Sequence, residues 1–354
     1  MIERAGWGIL GTGKIARIFA ADLRGSASGR LQAVGSRDAA RASAFATEFG
    51  AARAYGGYDD VLADPDVDFV YVATPHPTHE RLAIDAARAG KHVLCEKPLA
   101  VDAAGARRMV EAAHSAGTFL MEAFAFRCHP QSQRLADLIA DGAIGEVRSV
   151  NSAFGYDGGP APTNYLLRHD LAGGSILDVG CYTASLTRQV AGMASGAPFA
   201  DPVSVVGVGV LHPEARVDLD AAALASFAGG ITGQLSCSIR TNLESSVLIT
   251  GTRGRIRIPA PWLPGKHGGP PRLLVEGVRR DADAIESGDP RDLYAIEADT
   301  VVDHVRAGRQ QAPEMGWADS IGNMELLDRW RSAIGYDLGD LGQEGAVAAM
   351  DLHR

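Results

Sequence analysis

Positive charge, cysteine and long apolar runs are all scarce in this 354-residue sequence. Lysine and arginine number 34 against 43 aspartates and glutamates, giving a formal net charge of −9. That balance argues against a nucleic-acid or anionic-membrane partner held by bulk electrostatics, while leaving room for a local basic pocket. The four cysteines, Cys95, Cys128, Cys181 and Cys237, are scattered and form no CxxC pair. They fit neither a disulfide framework nor a zinc site, and are expected to be reduced, mostly buried thiols in a cytoplasmic protein. No run of about 20 apolar residues occurs, so no transmembrane helix is expected. The opening Met1-Ile2-Glu3-Arg4 lacks the apolar core of a signal peptide.

What is present is ordinary for a globular enzyme, with 46% apolar and 22% charged residues. The length exceeds what one core holds, so two domains are expected. The first reads as a doubly wound α/β domain over residues 1–123, because short apolar strands alternate with helical segments. Trp7 to Leu10 is a strand that runs into Gly11-Thr12-Gly13-Lys14-Ile15-Ala16, followed by a helix. In this GxGxxA pattern Gly11 permits the tight turn, Gly13 lets a pyrophosphate approach the backbone, and Ala16 lets helix and strand pack closely. The next strand, Leu31 to Gly35, ends in Ser36-Arg37-Asp38. A hydroxyl and a planar guanidinium there suit a 2′-phosphate, so NADP is expected over NAD; the alternative is a solvated Arg37 with Asp38 on the ribose. Strand Asp68 to Ala73 ends in Thr74-Pro75-His76-Pro77-Thr78-His79, whose X-Pro breaks place these residues at a carboxyl edge. His76 and His79 lack a third ligand at local spacing, so no metal is expected, and a role lining the cofactor cleft is. His92 to Glu96 is a buried strand with Lys97 at its carboxyl end, where open α/β sheets bind ligands; the bland alternative for Lys97 is a solvated charge.

The second half, residues 124–334, reads as an α+β domain with a large, mainly antiparallel open sheet. The predicted strands are Val147 to Phe154, Val203 to Leu211, Ala222 to Phe227, Ile231 to Ser238, Ser246 to Thr250 and Arg255 to Ile258. An uncovered sheet face is a candidate oligomer interface. Asp178 and Tyr182, four apart on a predicted helix, share a face. The Tyr182 phenol can exchange a proton if a neighbouring ammonium such as Lys97 favours phenolate. The residues alone leave open a half-buried aromatic for Tyr182 and a helix N-cap for Asp178. Arg127, Tyr165, Arg168 and His169 are further pocket candidates, and residues 335–354 match no motif and read as a tail.

The GxGxxA turn, the Thr74 to His79 stretch, Glu96-Lys97-Pro98, Met121-Glu122-Ala123-Phe124 and Gly173 to Tyr182 fall in the order seen in the Gfo/Idh/MocA oxidoreductases, which the chain resembles nearly throughout to about Ala333. Within that family it looks most like the dihydrodiol dehydrogenase, D-xylose dehydrogenase and glucose–fructose oxidoreductase branch. The resemblance implies that Lys97 is the lysine of the EKP motif, contacting substrate and cofactor. Asp178 is then the acidic residue of the second motif, and Tyr182 the acid/base where many relatives carry histidine. The cofactor edge becomes Gly11, Thr12, Gly13, Lys14, Ile15, Ser36, Arg37, Thr74, Pro75, His76, His79, Glu96 and Lys97. The resemblance also implies dimers or tetramers and a small carbohydrate, polyol or dihydrodiol substrate. The other readings to be tested are an NADP-binding sensor or partner-binding subunit without turnover, and a cofactor held tightly while it shuttles between two sugars.

Overall fold

The computed structural model describes residues 4–159, 164–266, 270–277, 283–286, 289 and 291–339. The chain divides into two compact units. The first holds the described residues of 1–100, 104–128 and 290–320, and the second those of 101–103, 129–289 and 321–354.

In the first unit six parallel strands, β1 (Ala5–Leu10), β2 (Gly29–Gly35), β3 (Arg53–Tyr55), β4 (Phe69–Val72), β5 (His92–Glu96) and β6 (Leu120–Ala123), lie in the order β3-β2-β1-β4-β5-β6. The strand order reverses direction between β1 and β4, the topological switch of a doubly wound sheet, where ligands bind at the carboxyl ends. Strands β4 and β6 are buried along their whole length, which is why they read as continuous apolar runs: helices cover both faces. Trp7 anchors the core, packed edge-on to Phe19 at 5.4 Å and stacked on Phe69 at 5.0 Å, while Phe19 stacks on Tyr71 at 3.9 Å.

The helix Leu293–Arg306 also belongs to this unit, although the sequence reading placed it with the second domain. Its apolar face, Leu293, Ala295, Ile296, Ala298, Val301 and Val302, is buried, and it packs on the helix Lys14–Asp22. Asp299 on it accepts from the hydroxyls of Ser26 and Ser28 at 2.5 and 2.6 Å. A segment that returns from some 170 residues away carries no local sign of its destination.

The second unit contains eight strands, β7 (Val147–Gly155), β8 (Ser204–Leu211), β9 (Asp218–Ser226), β10 (Thr232–Ser238), β11 (Val247–Gly251), β12 (Gly254–Ile258), β13 (Arg272–Gly277) and β14 (Asp283–Glu286). Their order is β14-β13-β12-β11-β7-β10-β9-β8, antiparallel throughout except for the β7–β10 pair. Strands β13 and β14 were not anticipated. One face is covered by the helix Cys181–Met193, where the Ser152 hydroxyl meets that of Thr187 at 3.1 Å. On β8 the residues alternate: a side chain at Gly207 or Gly209 would run into Trp330 and Ile334, whereas Val206, Val208 and Val210 point the other way and are 61%, 72% and 45% exposed. Tyr336 and Leu338 are buried, so the start of the expected tail is packed; residues 340–354 lie outside the described residues.

Candidate active site

The residues singled out in the sequence fall on both units. Lys97 and the cofactor-edge set lie on the first, and Asp178 and Tyr182 on the second.

On the first unit, β1 ends in Gly11, whose φ of +106° and close approach to the Ala73 carbonyl exclude a side chain: a Cβ would sit 2.6 Å from that oxygen. Gly13 is the opposite case, since a Cβ there meets nothing within 4 Å. It opens the helix Lys14–Asp22, which has no side-chain cap and no acidic residue in its first turn. An uncapped helix start beside open space, next to exposed Gly13 and Lys14, suits a pyrophosphate. Ala16 is fully buried against the sheet, as its small size requires. The helix after β2 begins differently. Asp38 caps it, accepting from the backbone N–H groups of Ala40 at 2.9 Å and Arg41 at 3.1 Å. Ser36 is buried and its hydroxyl accepts from the Asp38 N–H at 3.2 Å, while Arg37 is exposed beside Tyr58.

At the β4 edge His79 is completely buried. Its Nδ1 lies 3.0 Å from the Pro98 carbonyl and its Nε2 2.8 Å from the Thr74 carbonyl, so one ring ties the Thr74 loop to the Lys97-Pro98 turn. Burial lowers the His79 pKa, against the two carbonyl contacts that raise it. His79 is thus a brace between the loops; of its neighbours Thr74 is half-buried, Pro75 exposed, and His76 buried and packed edge-on to His79 at 5.8 Å. Glu96 is buried; its carboxylate accepts from the Tyr71 hydroxyl and, at 3.2 Å, from the Lys97 N–H. Its side chain thus helps to hold the turn, and Lys97 is half-buried at the strand end. Arg127 is not available to a pocket: it is buried in an ion pair with Asp319 and donates to the Glu314 carbonyl at 2.9 Å. Among the described residues no three His, Cys, Asp or Glu side chains are grouped for a metal ion.

On the second unit the stretch Ile176–Gly180 is a π-helical turn that leads directly into the helix Cys181–Met193. The expectation that Asp178 and Tyr182 share one α-helical face changes accordingly, because a wider turn shifts the registration of residues four apart; such turns concentrate at functional sites. Asp178 is not an N-cap. Its carboxylate accepts from the hydroxyls of Tyr156 at 2.5 Å and Tyr165 at 3.2 Å. The Tyr182 ring meets Phe154 at 5.3 Å and Trp262 at 5.9 Å, both edge-on, and Phe154 stacks on Trp262. Tyr165 is 45% exposed and Tyr182 half-buried, so hydroxyls and aromatic surface open together around a buried carboxylate. Arg168 pairs with Asp170, and His169 Nε2 lies 3.1 Å from the Asp337 carbonyl. Tyr156, Phe154 and Trp262 escaped the sequence reading. Phe154 lies near the end of β7, Tyr156 just after it and Trp262 after β12, where its indole donates to the Ala153 carbonyl at 3.1 Å; the tertiary fold, not local sequence, brings them together.

The oxidoreductase family model with an NAD-binding Rossmann fold matches residues 5–124, and that of the Gfo/Idh/MocA C-terminal domain matches residues 132–257. Trans-1,2-dihydrobenzene-1,2-diol dehydrogenase from Mus musculus is 34% identical over 338 residues, covering 93% of this chain and 96% of its own. The uncharacterized oxidoreductase ORF334 of Rhizobium meliloti is 35% identical, covering 91% and 94%. Among solved structures, a 3-ketoreductase from Actinomadura kijaniata in complex with NADP and TDP-benzene superposes with a TM-score of 0.83 at 28% identity, covering 94% of this chain and 98% of that one. The aldose–aldose oxidoreductase of Caulobacter crescentus, complexed with glycerol, gives 0.83 at 26% identity, covering 94% and 97%. With its nucleotide-edge turn and EKP strand end inside the first model match and strands β7 to β11 inside the second, the chain belongs to the Gfo/Idh/MocA family of NAD(P)-binding oxidoreductases.

Proposed function

We propose that the protein is an NADP-dependent dehydrogenase acting on a CH–OH group of a sugar, cyclic polyol or trans-dihydrodiol. The observation that carries the reading is the position of Lys97 at the carboxyl end of β5, on the same sheet edge as the GxGxxA turn. The preference for NADP is supported by Arg37 and by Asp38, whose carboxylate is committed to capping its helix and so is poorly placed for a ribose hydroxyl. A related 3-ketoreductase was solved with NADP, a related sugar oxidoreductase with glycerol, and curated relatives are dihydrodiol dehydrogenases.

When bound, the nicotinamide supplies hydride acceptance or donation. In this reading Tyr182 removes the proton of the reacting hydroxyl, Lys97 stabilises the phenolate and holds the reacting oxygen, and Asp178 orients the substrate by way of Tyr156 and Tyr165. A catalytic acid/base set separates this reading from a cofactor-binding sensor. The test is a panel of aldoses, inositols and trans-dihydrodiols, followed at the nicotinamide absorbance with NADP and NAD. Turnover of one class with NADP supports the assignment; NADP binding without turnover of any member favours the sensor. Cofactor that survives purification and gel filtration would mark the third reading, a shuttle between two sugars.

The same reading includes self-association. Val206 on β8 pairs with Leu224 on β9, and the register continues through Gln234 and Asn151 to Leu248 and Arg257, so the apolar patch on the face opposite the helix Cys181–Met193 is centred on β8 and β9. The occupant proposed for it is a second copy of this chain. Four free cysteines and, among the described residues, no helix long and apolar enough to cross a membrane are in keeping with a cytoplasmic setting.

A further inference from the structure

The π-helical turn that carries Asp178 is held from below by a carboxylate that no sequence motif contains. Asp218, the first residue of β9, is fully buried. Its Oδ2 accepts from the Ser175 hydroxyl at 2.6 Å and from the Ile176 backbone N–H at 2.8 Å. Ile176 is the first residue of the turn, so this one oxygen does the work that an N-cap side chain does for an α-helix. The residue before Ser175 is Gly174, at φ +106°; a Cβ there would lie 2.1 Å from Asp218 Oδ1. Sequence and geometry therefore agree that the chain is brought tightly against this carboxylate. The Tyr336 hydroxyl holds the same loop by donating to the Gly173 carbonyl at 3.1 Å. Ser175 Oγ also lies 3.2 Å from Cys237 Sγ.

We propose that Asp218 is a positioning residue for the reaction: its carboxylate fixes the Gly173–Ile176 turn, and through it the placement of Asp178 and Tyr182. The inference rests on the functional reading above. The groups that face Asp218 are Ser175 on the turn, Cys237 on β10, Arg331 on the helix Trp317–Ala333, and Tyr336 beyond it. Burial raises the Asp218 pKa to about 6, against the hydrogen bonds from Ser175 and Ile176 and the Arg331 charge, which lower it. Protonation in mildly acid solution weakens a carboxylate's hold on two donors, so the turn loosens as pH falls through that value.

The test compares Asp218→Asn and Ser175→Ala with the parent enzyme on a substrate drawn from the panel. A misplacement of about 1 Å commonly costs about 10²-fold in turnover. The parent is expected to show an acid limb of kcat near pH 6; for Asp218→Asn the expected result is loss of that limb, a fall in kcat of about 10- to 100-fold and an unchanged KM for NADP. Ser175→Ala, which removes one of the two donors, falls in between and keeps the limb. A lower unfolding temperature with parent-like kcat and an unchanged acid limb would reduce Asp218 to scaffold and overturn the proposal. A readout that needs no substrate separates this failure from failure of the functional reading. The tyrosinate absorbance lost on Tyr182→Phe reports the titration of Tyr182, and its midpoint should shift when Asp218→Asn is added. An unmoved midpoint overturns the proposal even if the panel yields no substrate.

Discussion

A phenol is an unusual acid/base at neutral pH, so the role proposed for Tyr182 depends on its surroundings. Tyr156 and Tyr165 donate to Asp178, whereas the Tyr182 ring sits among Phe154 and Trp262. If it transfers the proton, Tyr182→Phe should lower kcat by about 10²- to 10⁴-fold, the usual worth of general acid–base catalysis, with little effect on cofactor binding. Lys97→Ala should lower it at least as far, since charge and positioning are lost together. Steady-state kinetics on the substrate found by the panel checks both, and a phenylalanine variant with parent turnover removes Tyr182 from the chemistry. At the other end of the cofactor, Arg37→Ala should cut kcat/KM for NADP while leaving the NAD value near the parent's, because in the proposed reading the guanidinium meets the 2′-phosphate that NAD lacks. An unchanged ratio between the two cofactors would show that specificity lies elsewhere.

Single elements show how far the residues could be read in advance. Five of the six parallel strands were legible because helices bury both faces and leave apolar runs, whereas the short β3, largely exposed, was not; the GxGxxA turn was legible because its glycines answer local backbone demands. The π-helical turn at Ile176–Gly180 was not, since it follows from Asp218 and Gly174, which lie far apart in sequence. Nor was the destination of the helix Leu293–Arg306, whose Glu297 is completely buried with neither carboxylate oxygen hydrogen-bonded. Burial, and then the charge of Glu96, raise its pKa well above the usual carboxylate value. The sign follows from proton counting: above the unfolded pKa the unfolded state has released this proton and the folded state has kept it. Stability is therefore greatest in acid and declines as pH climbs toward the folded pKa, by about 1.4 kcal/mol per pH unit for one proton. Glu297→Gln cannot ionise and should be more stable than the parent at pH 7 to 8, by a margin that shrinks toward pH 5. Urea unfolding across that range measures it, and parallel curves for the two proteins would mean that Glu297 is ionised in the fold.

For the whole molecule the exposed row on β8 and β9 raises the question of what covers it. Val206, Val208 and Leu224 are 61%, 72% and 56% exposed, on an edge whose other face is closed by Trp330 and Ile334. Isolated apolar residues on a surface need no explanation, but a register-aligned row of exposed apolar side chains fits the self-association proposed above. A two-fold axis through such a row places it against its own copy, and a stable homodimer needs about 800 Å² from each partner, which a sheet of this size can supply. The apolar part of this face is local to β8 and β9: Val210 pairs with Asp220, and toward β12 the same face carries Arg255 and Arg257, paired with Glu276 and Glu244. Val208→Asp tests the assembly directly. Because Val208 is exposed in the single chain, an aspartate there costs the fold little; across a two-fold interface it would bury two like charges beside each other, which neither partner can neutralise. Sedimentation of the parent should give a dimer or tetramer, and the variant should sediment as a monomer with an unchanged circular dichroism spectrum. A monomeric parent, or a variant whose mass stays that of the parent assembly, would leave this face without the partner assigned to it.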